Sequence, residues 1–351
     1  MSDKKIPKPE DIQKEFEDFI QKRFGKSVQV FAQEFPSSFM GDSKPDEDEP
    51  SKGTKIPEDN DDDSLRLDLK PRDVKAHLDR FIIGQDEAKK ALSIAVCDHY
   101  NQVFLHKKDP DGPDQEHYTK QNVLVLGPTG VGKTYMIRQI AKLIGVPFVK
   151  ADATRFSETG YMGANVDDLI RDLVSQANGD VNLARYGIVY LDEADKLATA
   201  PNHQGRDVSG RGVQLGLLKL MEETDIDLKA ANDPASQMQA FMEMQQKGKV
   251  EKQVVNTRHI LFIVSGAFTG LEDYIGRRLN QKSIGFGQEN KKNTDKYSLF
   301  NQATTEDFIK YGFEPEFVGR LPVRVACHPL DDQKLFEILK NSEGSIVRQY
   351  K

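Results

Sequence analysis

Residues 127–134 read Gly-Pro-Thr-Gly-Val-Gly-Lys-Thr, and no other stretch restricts the possible folds as tightly. The pattern G-x-x-x-x-G-K-[ST] wraps a phosphate when a strand precedes it and a helix follows. Both are predicted: an apolar run at 122–126 (NVLVL) leads in, and a helical pattern over 133–144 leads out. Gly127, Pro128, Thr129, Gly130, Val131 and Gly132 form the candidate cradle. Its backbone N–H groups turn inward, and the helix N-terminus adds partial positive charge. Lys133 suits contact with β- and γ-phosphates, and Thr134 suits Mg²⁺. The alternative is a chance match in an unrelated loop, against which both flanking elements count.

A strand–loop–helix unit needs a sheet to join. Further short apolar runs lie at 146–150, 187–191, 260–264 and 322–327, with helical patterns at 165–177 and about 209–222. Continuous rather than alternating apolar character fits parallel strands covered on both faces. The expected fold is therefore α/β, a five-stranded parallel sheet flanked by helices. Residues 1–40 are expected to include a helical segment, since Ile12, Phe16, Phe19, Ile20 and Phe24 recur at helical spacing. Residues 41–66 read as a disordered acidic linker, with ten Asp or Glu against three Lys over 41–64. The main domain is expected over 67–329, and 330–351 begins a further helical segment. The polar stretches 226–256 and 287–305 read as insertions, the first a surface loop or loose helix.

Residues 187–193 read Gly-Ile-Val-Tyr-Leu-Asp-Glu, which puts two carboxylates at the C-terminal end of a buried strand. Ligands of open α/β sheets bind at that edge. Asp192 suits the Mg²⁺ shell, and Glu193 suits a base that polarises water. Alone, the pair reads better as a helix N-cap; beside a phosphate loop the catalytic reading wins. Asp195 and Lys196 read as a local surface pair.

A net charge of −7 with no dominant basic block argues against a dedicated nucleic-acid binder. No apolar run reaches the length of a membrane span, and the first residues carry no secretory pattern. The two cysteines, Cys97 and Cys327, read as reduced core thiols, so a cytoplasmic setting is expected.

Longer segments carry a resemblance: FIIGQDEAKKALSIAV, GPTGVGKT, ADATRFSETGYMGANV, GIVYLDEADKL, RDVSGRGVQ, ILFIVSGAF, SIGFG and PEFVGRLP. Over 67–351 the chain resembles AAA+ ATPases of the Clp/Hsp100 group, ClpX-type members first and HslU-type next. That resemblance implies an ATP-dependent protein unfoldase working as a homohexamer with Mg²⁺, delivering unfolded or tagged proteins to a ClpP-type peptidase. The alternative is a remodelling chaperone or regulatory paralogue without a protease. It implies adenine contact at Ile83 and Gly84, and γ-phosphate sensing at Ser265. Arg320 matches an arginine finger acting in a neighbouring subunit; without the family it would read as a helix-terminal surface charge. Tyr161 and Met162 match an aromatic pore loop and Arg206 a second pore-facing region, whereas Tyr161 alone would be an ordinary loop tyrosine. Ile284, Gly285 and Phe286 match a peptidase-docking tip, the alternative being that both apolar residues fold back on the domain.

The chain also departs from the group. No cysteine precedes Cys97, so the group's four-cysteine zinc module is not expected, nor is zinc. Gly210-Arg211-Gly212 stands where the group has Gly-Glu-Gly, and 226–256 replaces a basic Arg-Lys-His loop. The small helical domain after about 330 is expected to be largely missing, with its Gly-Ala-Arg sensor, either because this is a fragment or because the protein lacks it.

Overall fold

The apolar runs assemble as one five-stranded parallel sheet in the computed structural model, which describes residues 69–108, 120–156, 164–198, 210–228, 253–281 and 296–350. The strands are β1 (Val123–Leu126), β2 (Phe148–Asp152), β3 (Ile188–Asp192), β6 (Leu261–Gly266) and β7 (Val323–Ala326), in spatial order β2-β3-β6-β1-β7. Each agrees with an expected run to within two residues. Two short strands, β4 (Asp225–Asp227) and β5 (Val254–Asn256), pair antiparallel at the two ends of the polar stretch 226–256. Strand pairing there was not legible in the sequence, since only three residues on each side take part.

Successive strand side chains alternate between two cores. Val123, Val125, Ile188, Tyr190, Leu261 and Ile263 face one layer, and Leu124, Leu126, Val189, Leu191, Phe262 and Val264 face the other. The first layer is covered by α1 (Pro71–Phe81), α2 (Asp86–Lys108) and α3 (Lys133–Ile144). In α3, Met136, Ile137, Ile140, Ala141 and Ile144 recur three or four apart and are buried, and the Gly145 N–H closes the last turn onto the Ala141 carbonyl. The second layer is covered by α4 (Asp168–Gln176), α5 (Gly210–Met221), α6 (Leu271–Gln281), α7 (Thr305–Tyr311) and α8 (Pro315–Gly319). Burial of a side chain such as Phe262, 1% exposed, stabilises the sheet by about 1.5–3 kcal/mol.

The chain visits β1, β2, β3 and β6 before crossing to β7 on the other side of β1. β6 therefore separates β1 from β3, and the C-terminal ends of these three strands meet at one edge. After β7, α9 (Asp332–Asn341) starts at Asp331, whose carboxylate accepts the Lys334 N–H at 2.8 Å. The stretch 296–302, expected as part of a polar insertion, forms a 3-10 helix that buries Phe300. Among the described residues, no helix is long and apolar enough to cross a membrane.

Candidate active site

The loop between β1 and α3 is fixed from both sides. The Gly127 N–H donates to the Gly266 carbonyl at 3.2 Å, and the Cys327 N–H donates to the Leu126 carbonyl at 2.7 Å. This draws Gly127 so close to the segment after β7 that a Cβ there would lie 2.5 Å from the Cys327 carbonyl oxygen, at a φ of +145°. Gly127→Ala is therefore expected to lower the unfolding free energy by about 2–4 kcal/mol, read by denaturant titration. A stability equal to that of the unsubstituted protein would show that this loop is not locked.

Gly130 and Gly132 are the opposite case. A Cβ at either would meet nothing within 4 Å, which leaves their backbone open to a ligand. Thr129 is exposed, Pro128 half-buried, and Val131 buried in the core, so the loop is pinned at its centre. Lys133, 8% exposed, folds over the loop and donates to the carbonyls of Gly127 (2.6 Å) and Pro128 (2.8 Å). Burial pulls its pKa below the ordinary lysine value, and the Asp192 charge partly offsets that.

Asp192 ends β3, and both oxygens of its carboxylate carry partners. Thr134 Oγ1 lies 3.2 Å from the Tyr190 hydroxyl and 3.3 Å from Asp192 Oδ2. The Tyr190 hydroxyl is 2.6 Å from Ser265 Oγ, which donates to Asp192 Oδ1 at 2.7 Å. One proton per hydroxyl satisfies the whole chain, Thr134 to Tyr190 to Ser265 to Asp192. The Glu193 N–H adds a bond to Oδ1 at 3.1 Å, and Lys150 Nζ stands 3.2 Å from Oδ2. Burial would raise the Asp192 pKa; bonds from Ser265 and Lys150, then the Glu193 N–H, outweigh it and bring the carboxyl below its usual range. Glu193 itself is exposed and holds a left-handed φ of +55°. Thr129, Lys133, Thr134, Lys150, Asp192 and Glu193 line one open cleft of about 450 Å³.

The sheet order accounts for Ser265. β6 lies between β1 and β3, so its last residues reach the edge midway between the loop and the acids. Asp195, expected on the surface, is instead 7% exposed: its Oδ1 accepts the Ala267 N–H at 3.3 Å while Lys196 lies 3.6 Å from Oδ2. The 3-10 turn at 194–197 folds under the end of β6, which buries it.

Other expected residues lie elsewhere. Ile83 and Gly84 sit between α1 and α2, where a Gly84 Cβ would come 3.3 Å from Lys334 of α9. The Gln85 side chain clamps the neighbouring strand exit, accepting the His328 N–H at 2.9 Å and donating to the His328 carbonyl at 2.6 Å. Arg320 caps α8 on the surface and donates to Glu222 Oε1 at 2.6 Å. It does not line the cleft of its own chain. Tyr161, Met162, Arg206, Ile284, Gly285 and Phe286 lie outside the described residues.

Two residues at the site were missed by sequence reasoning. Tyr190 precedes Asp192 by two on a strand, which puts both on one face. Lys150 is paired in register with Tyr190 across β2 and β3. The available signal was a lysine inside the otherwise apolar run VPFVK.

The profile of the AAA domain (Cdc48 subfamily) matches residues 118–324, a span running from just before β1 into β7. The chain belongs to this family. Two curated relatives of this AAA domain are the proteins named ATP-dependent Clp protease ATP-binding subunit ClpX from Borrelia duttonii (strain Ly) and Borrelia recurrentis (strain A1). Each is 44% identical over 283 residues, covering 80% of the chain and 62% of the relative. This AAA domain is thus ClpX-like, as its motifs implied, and the chain spans about three-fifths of the length of the curated relatives it matches. Family membership implies a nucleotide at the loop. The residues fit one: open backbone at Gly130 and Gly132, a buried lysine, and a hydroxyl beside an ionised carboxylate.

Proposed function

We propose that this chain binds ATP with Mg²⁺ in the cleft and hydrolyses it, and that the resulting motion unfolds proteins. The observation that carries the reading is the meeting of Thr134, Asp192 and Ser265 beside an open glycine cradle. The cradle and Lys133 bind and orient the phosphates. Thr134 and Asp192 are the residues suited to Mg²⁺, which when bound spreads the phosphate charge. Glu193, at the cleft mouth, accepts a proton from the attacking water. The water oxygen then bonds to the γ-phosphorus, the bridge to the β-phosphate breaks, and ADP and phosphate leave. Ser265 and the Glu193 N–H hold Asp192 ionised and oriented, and Tyr190 fixes Ser265. Ile83 and Gly84 are assigned to the adenine and Arg320 to a neighbour's γ-phosphate.

The finer reading follows the likeness to ClpX. The main domain, 67–329, works in a homohexamer, Tyr161, Met162 and Arg206 face its channel, and Ile284, Gly285 and Phe286 dock a ClpP-type peptidase. The setting is cytoplasmic. Tyr161→Ala touches no phosphate ligand, so ATP hydrolysis is expected to persist while unfolding of a tagged stable protein is lost, both followed in one assay. A parallel loss of hydrolysis and unfolding would make Tyr161 structural. Unfolding at the unsubstituted rate would remove the channel reading and favour a remodelling chaperone without a protease.

A further inference from the structure

Lys150 has no part in the reaction just described, yet its ammonium stands against the Asp192 carboxylate that the reading above assigns to Mg²⁺. Nζ lies 3.2 Å from Asp192 Oδ2 and 3.7 Å from Asp152 Oδ1. β2 is an edge strand, and Lys150 stands in register with Tyr190, so its side chain reaches across to the end of β3. Roughly a third of the side chain remains exposed, at 38%, on the wall of the cleft that also holds Lys133 and Thr134. The other Asp192 oxygen is taken by Ser265 and the Glu193 N–H. Oδ2 is shared by Lys150 and by Thr134 Oγ1 at 3.3 Å, so a cation arriving at this carboxylate meets the competing charge of Lys150.

We propose that Lys150 is a tethered cation of the nucleotide site, which holds Asp192 when no metal is present and turns to the phosphates when a nucleotide enters without one. This rests on the nucleotide reading above. Two consequences follow. Without metal, Lys150 offsets repulsion between Asp192 and the phosphates, so nucleotide still binds. With metal, Lys150 competes for Oδ2, so the metal improves nucleotide binding less than it otherwise would. Both narrow the coupling between metal and nucleotide, which is one free energy shared by the two ligands.

The test uses the full chain and fluorescently labelled ADP, with dissociation constants measured in EDTA and in saturating Mg²⁺. The quantity read is the ratio of the two. Lys150→Met keeps an unbranched side chain of similar length without the charge, and is expected to raise the ratio about tenfold. Lys150→Arg keeps the charge and is expected to leave the ratio near that of the unsubstituted protein, which also guards against a folding defect in the first variant. An unchanged ratio in Lys150→Met overturns the proposal, as does a Lys150→Arg ratio equal to that of Lys150→Met. Absence of ADP binding by the unsubstituted protein in Mg²⁺ would instead remove the nucleotide reading, and this inference with it.

Discussion

Glu193→Gln is expected to slow ATP hydrolysis by about 100- to 10,000-fold while nucleotide affinity stays within a few-fold of the unsubstituted protein. The amide keeps the shape of the side chain but cannot accept the proton of the attacking water. The phosphate cradle is untouched, because Gly130, Gly132, Lys133 and Thr134 belong to another loop. The Asp192 network is also spared, since Glu193 contributes to it only its backbone N–H. Single-turnover hydrolysis alongside equilibrium nucleotide binding checks both halves. Hydrolysis at the unsubstituted rate would take the base assignment away from Glu193. Equal loss of binding and hydrolysis would make the residue structural.

The second large effect concerns Arg320, whose removal is expected to cost about a thousandfold in hydrolysis if it serves as an arginine finger. Arg320 is held by Glu222 on the surface of its own chain and lies outside the cleft that chain forms. A role at the γ-phosphate therefore needs a neighbouring subunit. Rings mixed from Arg320→Ala and Glu193→Gln chains are expected to recover part of the hydrolysis that neither variant has alone. Recovery arises at interfaces where an intact Glu193 from one chain meets an intact Arg320 from the next. Rings verified as mixed that hydrolyse no faster than the variants alone would exclude action between subunits.

Much of the architecture could be read in advance because burial on both faces leaves a plain mark. The runs at 122–126, 187–191 and 260–264 each became a strand of the sheet, and 133–144 became α3 with the same bounds. The place of the loop between β1 and α3 was legible because its backbone demands glycines at set positions, and that of Asp192 and Glu193 at the end of β3 because acids are conspicuous after an apolar strand. Tyr190 and Lys150 were not legible. Their contacts depend on which strands are neighbours and in what register, and a single strand carries neither fact. Asp195 was misread for a related reason: the end of β6 folds over it, and that contact spans about seventy residues of chain. The β4–β5 pair escaped notice because three residues are too few to show a period.

The left-handed backbone at Glu193 bears on how such a chain changes over time. A residue with a Cβ held at a φ of +55° costs the fold about 1 kcal/mol or more, whereas glycine or asparagine would rest there with less strain. Laboratory evolution that rewarded heat resistance alone would therefore favour replacing the very side chain proposed to activate water. Pressure on turnover would act against that replacement, so the two demands pull position 193 in opposite directions.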